Sequence, residues 1–295
     1  MISELEKNEI VYLNGKWLPF QDAKISPLDR GFVFGDGIYE VVPVYNKVPF
    51  YVDSHITRLF QSLTKIKLQI SLSKNELISI IQDLIKKSRF DNQIIYIQIT
   101  RGVAKRNHAF PLKTSPTIFA MSSFLKRPTK IEKSVGIKAI TLDDNRWTRC
   151  NIKSIALLPN VLSRQEAVSL GVDEAILFKN NFLTDGAAST IWTVKNKVVS
   201  CPKKNSLILE GIRIRIIEDI CKNLDINFLR KNITKKELLS SDEVLLTSAT
   251  KEVSSIVEID DKKIGFGKFK GAPGQISKII SDRYNSLIEK HSIKQ

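Results

Sequence analysis

The stretch RWTRCNIKS, residues 146–154, passes from arginines and polar side chains into an apolar segment that continues beyond it. Its lysine, Lys153, lies at that border, with Arg146 and Arg149 close in sequence. Such a position removes water from the ammonium group and brings other cations near it, and both effects lower the pKa of a lysine. A lysine of lowered pKa can attack a carbonyl group and form a Schiff base. Because most lysines are simply solvated, the ordinary surface lysine remains the alternative on spacing alone.

The size and composition are typical of a globular chain with more than one lobe. With 295 residues, 42% of them hydrophobic and 26% charged, the chain can bury most of its unfolded-state surface. The residues from Met1 to Asn8 mix acidic and basic side chains, and no apolar run approaches the ~20 residues of a membrane span. We therefore expect a cytoplasmic protein with no membrane partner.

Three cysteines, Cys150, Cys201 and Cys221, lie far apart in the sequence. Their odd number and wide spacing fit neither a disulfide framework nor a CxxC metal or redox motif. We expect reduced thiols, a reducing compartment and no metal site.

The net charge of +15 is the one unusual bulk property. Basic surfaces bind nucleic acids because binding releases counterions from the phosphate backbone. Here the lysines and arginines are spread along the chain, singly or in doublets such as Lys86-Lys87, and no RNP, KH or zinc-knuckle motif accompanies them. We expect no nucleic-acid partner, whereas anionic small molecules can benefit from the positive field.

The first 124 residues alternate between strand and helix signals. Asn14-Gly15 predicts a hairpin within residues 10–18, and further strands are expected at residues 39–45, 48–52, 93–100 and 117–124. Apolar side chains recur at helical spacing over residues 56–66 and 77–85, and Ser73 with Glu76 has the spacing of a capping box. Two helices on a mostly antiparallel sheet predict a small N-terminal α+β domain at residues 1–124.

A basic, proline-containing stretch at residues 125–133 predicts a linker, followed by a larger domain at residues 134–295. Strands are expected there at residues 135–142, 174–178, 191–199, 226–229, 244–248 and 255–259, and helices at residues 155–170, 211–223, 235–240 and 275–291. Short strands joined by hairpins favour a distorted barrel over a doubly wound parallel sheet. The chain as a whole is assigned to the α+β class.

Ordered motifs along nearly the whole chain accompany the lysine segment. They are Asp29-Arg30-Gly31, Phe34-Gly35-Asp36-Gly37-Ile38-Tyr39-Glu40, His55-Ile56-Thr57-Arg58-Leu59, Thr100-Arg101-Gly102, Arg106-Asn107-His108-Ala109-Phe110-Pro111, Gln165-Glu166-Ala167, Leu183-Thr184-Asp185-Gly186, Gly211-Ile212 and Thr247-Ser248-Ala249-Thr250-Lys251-Glu252. Together they resemble the fold-type IV pyridoxal phosphate enzymes, and within that family the D-amino acid aminotransferases. Several unrelated motifs in the same order are far more specific than any one of them.

The resemblance implies that Lys153 carries pyridoxal 5'-phosphate as a Schiff base. After exchange with substrate, its neutral amine would move a proton between the substrate Cα and the cofactor C4'. Arg58 would pair with the cofactor phosphate, because a guanidinium fork suits an oxyanion. A solvated arginine on the polar side of its helix is the alternative for Arg58.

Other donors to the phosphate are implied at two places. Ile212 and Arg213 would lie at the start of a helix, where free amides and the helix dipole favour an anion. Ala249 and Thr250 would contribute from a turn. The relatives carry a threonine where this chain has Arg213, so a hydroxyl is lost and a second cation can reach the phosphate.

Asp185 corresponds to the residue that faces the pyridine nitrogen, which is normally a glutamate in the family. A carboxylate there keeps the nitrogen protonated, so that the ring can accept the electron pair left at Cα. Aspartate is one methylene shorter. A plain turn at Thr184-Asp185-Gly186 is the alternative interpretation.

Arg106 and His108 are implied to bind the substrate α-carboxylate together with Tyr39, from a loop that the neighbouring subunit of a homodimer offers. By themselves, a loop arginine, a loop histidine and a strand tyrosine are commonplace. The implied reaction moves an amino group between a D-amino acid, such as D-alanine, and a 2-oxo acid, such as 2-oxoglutarate.

Two related activities and one unrelated function stay open. Against a branched-chain L-amino acid aminotransferase stand Arg106-Asn107-His108 and Leu158, since branched-chain enzymes place a tyrosine five residues after the lysine. An aminodeoxychorismate lyase uses the same cofactor and lysine and differs in what its pocket stabilises after proton abstraction. A non-enzymatic basic binding protein would require Lys153 to be dispensable.

Overall fold

A computed structural model describes residues 8–293, and its contacts group the chain into two compact units. Within the described residues, the first unit contains residues 8–126, Ile152–Ala156 and residues 291–293. The second contains Arg127–Asn151 and Leu157–Lys290. The division into residues 1–124, 125–133 and 134–295 stays a prediction. Its two outer ends lie outside the described residues. The same holds for most of the segment Met1 to Asn8, on which the expected localisation partly rests.

The first unit contains a six-stranded antiparallel sheet within the described part of the chain. The strands are β1 Ile10–Leu13, β2 Lys16–Pro19, β3 Gly37–Tyr45, β4 Val48–Pro49, β5 Gln93–Thr100 and β6 Thr117–Phe124. They lie side by side in the order β2-β1-β6-β5-β3-β4. The predicted hairpin at Asn14-Gly15 is confirmed, with φ of 50° and 86°. Positive φ at both central residues matches the right-handed twist of the two strands.

The described part of this unit contains the α-helices α1 Arg30–Phe34, α2 Val52–Lys65 and α3 Lys74–Lys87. Ser73 and Glu76 form the predicted capping box at the start of α3. The strand predicted at residues 48–52 was wrong in its second half, because Tyr51 has a φ of 54° and α2 begins at Val52. A 3-10 helix at Phe20–Asp22 follows β2.

The core of the first unit lies on one face of its sheet, because side chains alternate along each strand. Ile38 and Val42 of β3 and Ile97 of β5 pack there with the apolar sides of α2 and α3. Tyr39 points to the opposite face, where its cross-strand partner is Gln98. Because side chains alternate along the strand, the buried core lies on one face of the sheet and Tyr39, a candidate for binding the substrate, lies on the other.

The second unit contains most of the remaining elements. They are α4 Lys130–Val135, β7 Ile137–Asp143, α5 Leu158–Ser169, β8 Glu174–Lys179, β9 Phe182–Gly186, β10 Thr190–Lys195, β11 Val198–Pro202, α6 Ile212–Asn223, β12 Phe228–Lys231, α7 Lys235–Leu239, β13 Glu243–Ser248, β14 Glu252–Ile259, β15 Lys262–Lys263, a 3-10 helix at Gly267–Phe269, and α8 Gln275–Ile293, whose last turn groups with the first unit. Their sheet has the order β12-β11-β10-β13-β14-β7-β8-β9, with β15 on β14.

This sheet is mixed and curled, which confirms the predicted α+β class with a distorted barrel. The pairs β11/β12, β14/β7 and β7/β8 are parallel and the other neighbours are antiparallel. One local expectation differed, since residues 191–199 form two strands around a turn at Asn196-Lys197. Thr184–Gly186 lies in β9, so the alternative of a plain turn does not hold there. Helix α4, which Thr129 and Glu132 cap, begins within residues 125–133. Across residues 8–293, no helix combines the length and apolar character that crossing a bilayer requires.

Candidate active site

Lys153 lies in a short extended segment that pairs with the start of β3. The Tyr39 amide donates to the Lys153 carbonyl at 3.0 Å, and the Ile155 amide donates to the Gly37 carbonyl at 3.1 Å. Ile152 and Ser154 are buried, whereas Lys153 is half-buried. β5 occupies the other side of Gly37–Tyr45, so this segment covers an edge of β3 that would otherwise be open.

The ammonium group of Lys153 lies over an aromatic ring. Its Nζ is 4.1 Å from the centroid of the Tyr39 ring, which itself lies 5.8 Å from the ring of Tyr96. The Tyr96 hydroxyl donates to the Gln98 side chain at 2.7 Å, and burial together with Tyr39 raises the pKa of Tyr96 to about 12. The amine therefore lies over the face of Tyr39, and Tyr96 packs against that ring.

A cavity of about 350 Å³ opens on this same face of the first unit's sheet. Gln98, Phe119 and Ile155 line it, together with Asp29 and Phe32 near α1. Gln98 is the cross-strand partner of Tyr39, so the cavity and the lysine share one side of the sheet. The space is sufficient for a small molecule.

Arg58 makes a two-point ion pair with a fully buried carboxylate. Its Nε and one terminal nitrogen donate to Glu40 at 2.6 and 2.9 Å, and Nδ1 of His55 lies 2.8 Å from the same carboxylate. Burial would raise the pKa of Glu40, but the charge of Arg58 and these hydrogen bonds outweigh it and hold that pKa far below its usual range. The guanidinium is fixed in orientation while 14% of its side chain stays exposed.

The loop with Arg106 and His108 is exposed, and both side chains lie against Phe34. The Arg106 guanidinium carbon is 5.3 Å from the ring centroid of Phe34, and the His108 ring is 5.2 Å from it. Arg30 donates to the loop backbone, including the His108 carbonyl at 3.3 Å. The two side chains implied to bind a carboxylate therefore share one aromatic support, the ring of Phe34.

Asp185 lies on β9 in the second unit and is 6% exposed. A terminal nitrogen of Arg146 is 3.5 Å from its carboxylate, and the Leu209 amide also donates to it. Burial raises the pKa of Asp185 to about 7, although Arg146 opposes the shift. A further cation close to this carboxyl group, in addition to Arg146, would therefore favour its ionised form.

Arg146, which the sequence placed only as a cation close to Lys153, lies next to Asp185. It is 8% exposed and makes a two-point pair with Asp144, with two distances of 2.9 Å. The Thr184 hydroxyl donates to Asp144 at 2.6 Å, so the strand residue beside Asp185 belongs to the same network. The Asp-x-Arg spacing at Asp144 and Arg146 was the signal that could have indicated a fixed guanidinium.

The predicted phosphate donors lie at the two kinds of place expected for them. Ile212 and Arg213 begin α6, whose first amides have no partner within the helix. The Arg213 side chain is 5% exposed, and its Nε donates to the buried Tyr284 hydroxyl at 3.2 Å. Ala249 and Thr250 lie in the turn between β13 and β14.

The structure therefore distributes the candidates over both units. The first unit brings Lys153 onto Tyr39, places Arg106 and His108 against the Phe34 ring, and holds Arg58 on α2. The second unit holds the other five candidates, which are Asp185, Ile212, Arg213, Ala249 and Thr250. No cluster of histidine, cysteine, aspartate and glutamate that could bind a metal occurs in the described residues.

The family model for "Amino-transferase class IV" matches residues 37–259. The chain belongs to the class IV aminotransferases. This class IV chain is 38% identical to a D-alanine aminotransferase of Staphylococcus haemolyticus over 283 residues, which is 96% of this chain and 99% of the relative. It is 36% identical to a D-alanine aminotransferase of Bacillus licheniformis over 284 residues, again 96% and 99% of the two chains.

Solved structures share the fold of this class IV chain. A branched-chain amino acid aminotransferase from Escherichia coli superposes with a TM-score of 0.86 at 23% identity, over 96% of this chain and 95% of that one. The branched-chain aminotransferase of the thermophilic archaeon Thermoproteus uzoniensis, solved with norvaline, gives a TM-score of 0.84 at 23% identity, over 97% and 96%. At this identity the likeness concerns the architecture alone.

Proposed function

We propose that this class IV aminotransferase uses pyridoxal 5'-phosphate on Lys153 to move the amino group between a D-amino acid, such as D-alanine, and a 2-oxo acid, such as 2-oxoglutarate. The observation that carries the proposal is Lys153 itself, half-buried on the edge of β3 with its Nζ 4.1 Å from the Tyr39 ring centroid. The full-length identity of 36–38% to D-alanine aminotransferases supports the same substrate class.

The residues present fit the cofactor chemically. Asp185 is a buried carboxyl group whose pKa is raised to about 7, so it is suited to hold a cationic ring nitrogen. The amides of Ile212 and Arg213 at the start of α6, and the turn at Ala249 and Thr250, offer donors to a phosphate. Arg58 adds a fixed cation in the first unit.

When bound, the cofactor supplies an electron sink for the pair of electrons left at the substrate Cα. Freed from the cofactor by exchange with the substrate amine, Lys153 would take the proton from Cα and return it at the cofactor C4'. Asp185 would keep the ring nitrogen protonated. The amides of Ile212 and Arg213 and the turn at Ala249 and Thr250 would orient the phosphate, and Arg58 would serve as a further cation for it.

The carboxylate of the substrate is bound by Arg106, His108 and Tyr39. Two cationic or neutral donors and a phenol that meet one carboxylate determine which side of Cα is presented to Lys153. We further propose that the chain forms a homodimer in which the loop with Arg106 and His108 serves the neighbouring subunit. The three cysteines are free and buried, which supports a reducing compartment such as the cytoplasm.

The D-amino acid class is favoured over the branched-chain L-amino acids. The branched-chain enzymes match this chain at 23% identity, whereas the D-alanine aminotransferases match it at 36–38%. Leu158, five residues after the lysine, begins α5 and carries no hydroxyl that could reach a cofactor ring.

The decisive experiment compares D-alanine, L-alanine and L-leucine as amino donors with 2-oxoglutarate as acceptor. We expect turnover with D-alanine, and an absorbance band near the visible edge that borohydride removes and that Lys153→Ala lacks. Activity on L-leucine alone would overturn the roles of Arg106 and His108. A colourless protein that takes up no pyridoxal phosphate would end the enzyme hypothesis.

A further inference from the structure

Arg30 donates from all three of its guanidinium nitrogens within the first unit. It is 4% exposed, and its Nε donates to Asp36 at 2.8 Å. The terminal nitrogens donate to three successive loop carbonyls, those of Asn107, His108 at 3.3 Å and Ala109 at 3.4 Å. One buried guanidinium thus binds the backbone on both sides of His108.

Asp36 receives a second arginine. Arg101 donates to it from Nε at 2.8 Å and from a terminal nitrogen at 3.1 Å. The same guanidinium also donates to the carbonyls of Ile66 at 2.8 Å and Lys67 at 3.1 Å, just beyond the last turn of α2. Partial burial of Asp36 opposes ionisation, but hydrogen bonds and charge from the two arginines lower its pKa, so the carboxylate stays ionised.

These contacts form a continuous path from the loop at residues 107–109 to the C-terminal end of α2. The path runs through Arg30, Asp36 and Arg101, and α2 carries Arg58. Phe34 supports the same loop from the side, since Arg30 lies 4.8 Å from its ring centroid and Arg106 lies 5.3 Å from it. The loop would otherwise be a set of exposed residues with little packing of their own.

We propose that Arg30 and Asp36 are positioning residues that fix the loop with Arg106 and His108 for binding the substrate carboxylate. The inference rests on the proposed function, because it assigns Arg30 and Asp36 a task in that reaction. Donors that are already in place bind a carboxylate without the entropic cost of ordering a loop. Loss of the path therefore weakens binding of carboxylate-bearing substrates and leaves the chemistry at Lys153 largely unchanged.

The first test measures the loop directly. Hydrogen exchange by mass spectrometry is compared for the wild type, Arg30→Lys and Asp36→Asn. A lysine presents one compact ammonium and cannot replace the fork that reaches Asp36 and the loop carbonyls together. We expect faster exchange over residues 104–110 in both variants and no change over α3. Arg89→Lys is the matched control, because Arg89 pairs with Glu9 on the surface of the same unit.

The second test separates binding from chemistry with the pyridoxal phosphate-loaded enzyme. We expect both variants to raise KM for D-alanine about tenfold or more, with kcat within about threefold of the wild type. The half-reaction with 2-aminopropane, in which a methyl group replaces the carboxylate, should keep its wild-type kcat/KM. The intensity of the cofactor absorbance band should also stay at the wild-type level.

The outcomes separate this proposal from the proposed function. Unchanged exchange over residues 104–110 in both variants overturns the positioning role, whatever the enzyme's substrate. Faster exchange with an unchanged KM for D-alanine overturns the link to the carboxylate, and so does an equal loss with 2-aminopropane. A wild type that does not use D-alanine contradicts the proposed function, and the exchange measurement then still decides whether Arg30 holds the loop.

Discussion

The carboxylate of Asp185 shares its cation with a neighbour. Asp185 lies on β9, with a terminal nitrogen of Arg146 at 3.5 Å. Asp144 already binds Arg146 at two points, so the guanidinium is shared between the two carboxylates. Asp185 therefore remains only partly ionised until a second cation approaches.

Replacing Asp185 with Asn removes the negative charge and retains the size. We expect kcat for D-alanine to fall at least about a hundredfold, as for the loss of one preorganised electrostatic partner in other enzymes. Steady-state kinetics at saturating pyridoxal phosphate measures it, with the surface variant Asp83→Asn as control. Near-normal turnover would show that Asp185 does not face the ring nitrogen.

The raised pKa of Asp185 also predicts how the stability of the cofactor-free protein depends on pH. In the unfolded chain this carboxyl ionises near its usual pKa of 3.8, whereas in the folded chain it ionises at about 7. Between these values the folded state binds the extra proton, so the contribution of Asp185 to stability falls as the pH rises from about 4 to about 7 and is then constant.

The comparison of the cofactor-free wild type with Asp185→Asn isolates this contribution. Asparagine does not titrate. The free energy of unfolding of the variant, minus that of the wild type, should therefore increase as the pH rises across that range. Urea denaturation at several pH values measures the difference. A difference that is independent of pH would contradict the raised pKa.

Among the elements, those with local signals were predictable from the sequence. The strands at residues 93–100 and 117–124, the hairpin at Asn14-Gly15 and the capping box at Ser73 were confirmed, because alternation, turn chemistry and capping act over a few residues. The pairing of Ile152–Ala156 with β3 could not be predicted, since its partner is more than a hundred residues away in sequence.

In the candidate site, too, positions could be predicted from the sequence, whereas long-range contacts could not. Motif order indicated the positions of Lys153, Arg58 and Asp185, but it carried no information on their partners. Glu40 is 18 residues from Arg58, and Arg146 is 39 residues from Asp185. Such contacts depend on how strands and helices come together, and no local pattern encodes them.

Gly102 is a backbone requirement of the loop with Arg106 and His108. Its φ is 90°, and an added Cβ would lie 1.9 Å from the Ser115 carbonyl oxygen. We expect Gly102→Ala to destabilise the protein by about 2 kcal/mol or more, since strain and a clash with backbone add up. Gly15→Ala is the control, because Gly15 has a φ of 86° and open space, so its cost should be only about 1 kcal/mol. Equal costs in urea denaturation would contradict the clash.

For the whole molecule, the proposed homodimer makes a test by complementation possible. Lys153→Ala and Arg106→Ala should each be inactive, but a hybrid dimer would have one site with both residues intact if the loop serves the neighbouring subunit. Co-expression with two different tags and random pairing should restore about a quarter of the wild-type activity. If the loop acts within its own subunit, the hybrids stay inactive.

The short segment Ile152–Ala156 also constrains the order of folding during synthesis. The first unit lacks this segment until the ribosome has added these five residues, well after Lys126. Until then the nascent chain presents the edge of β3 at Gly37–Tyr39 without its partner, as an attachment point for other strands. The residue proposed to carry the cofactor therefore arrives with the segment that closes this edge, and a chain released early would have neither the lysine nor the protection against aggregation.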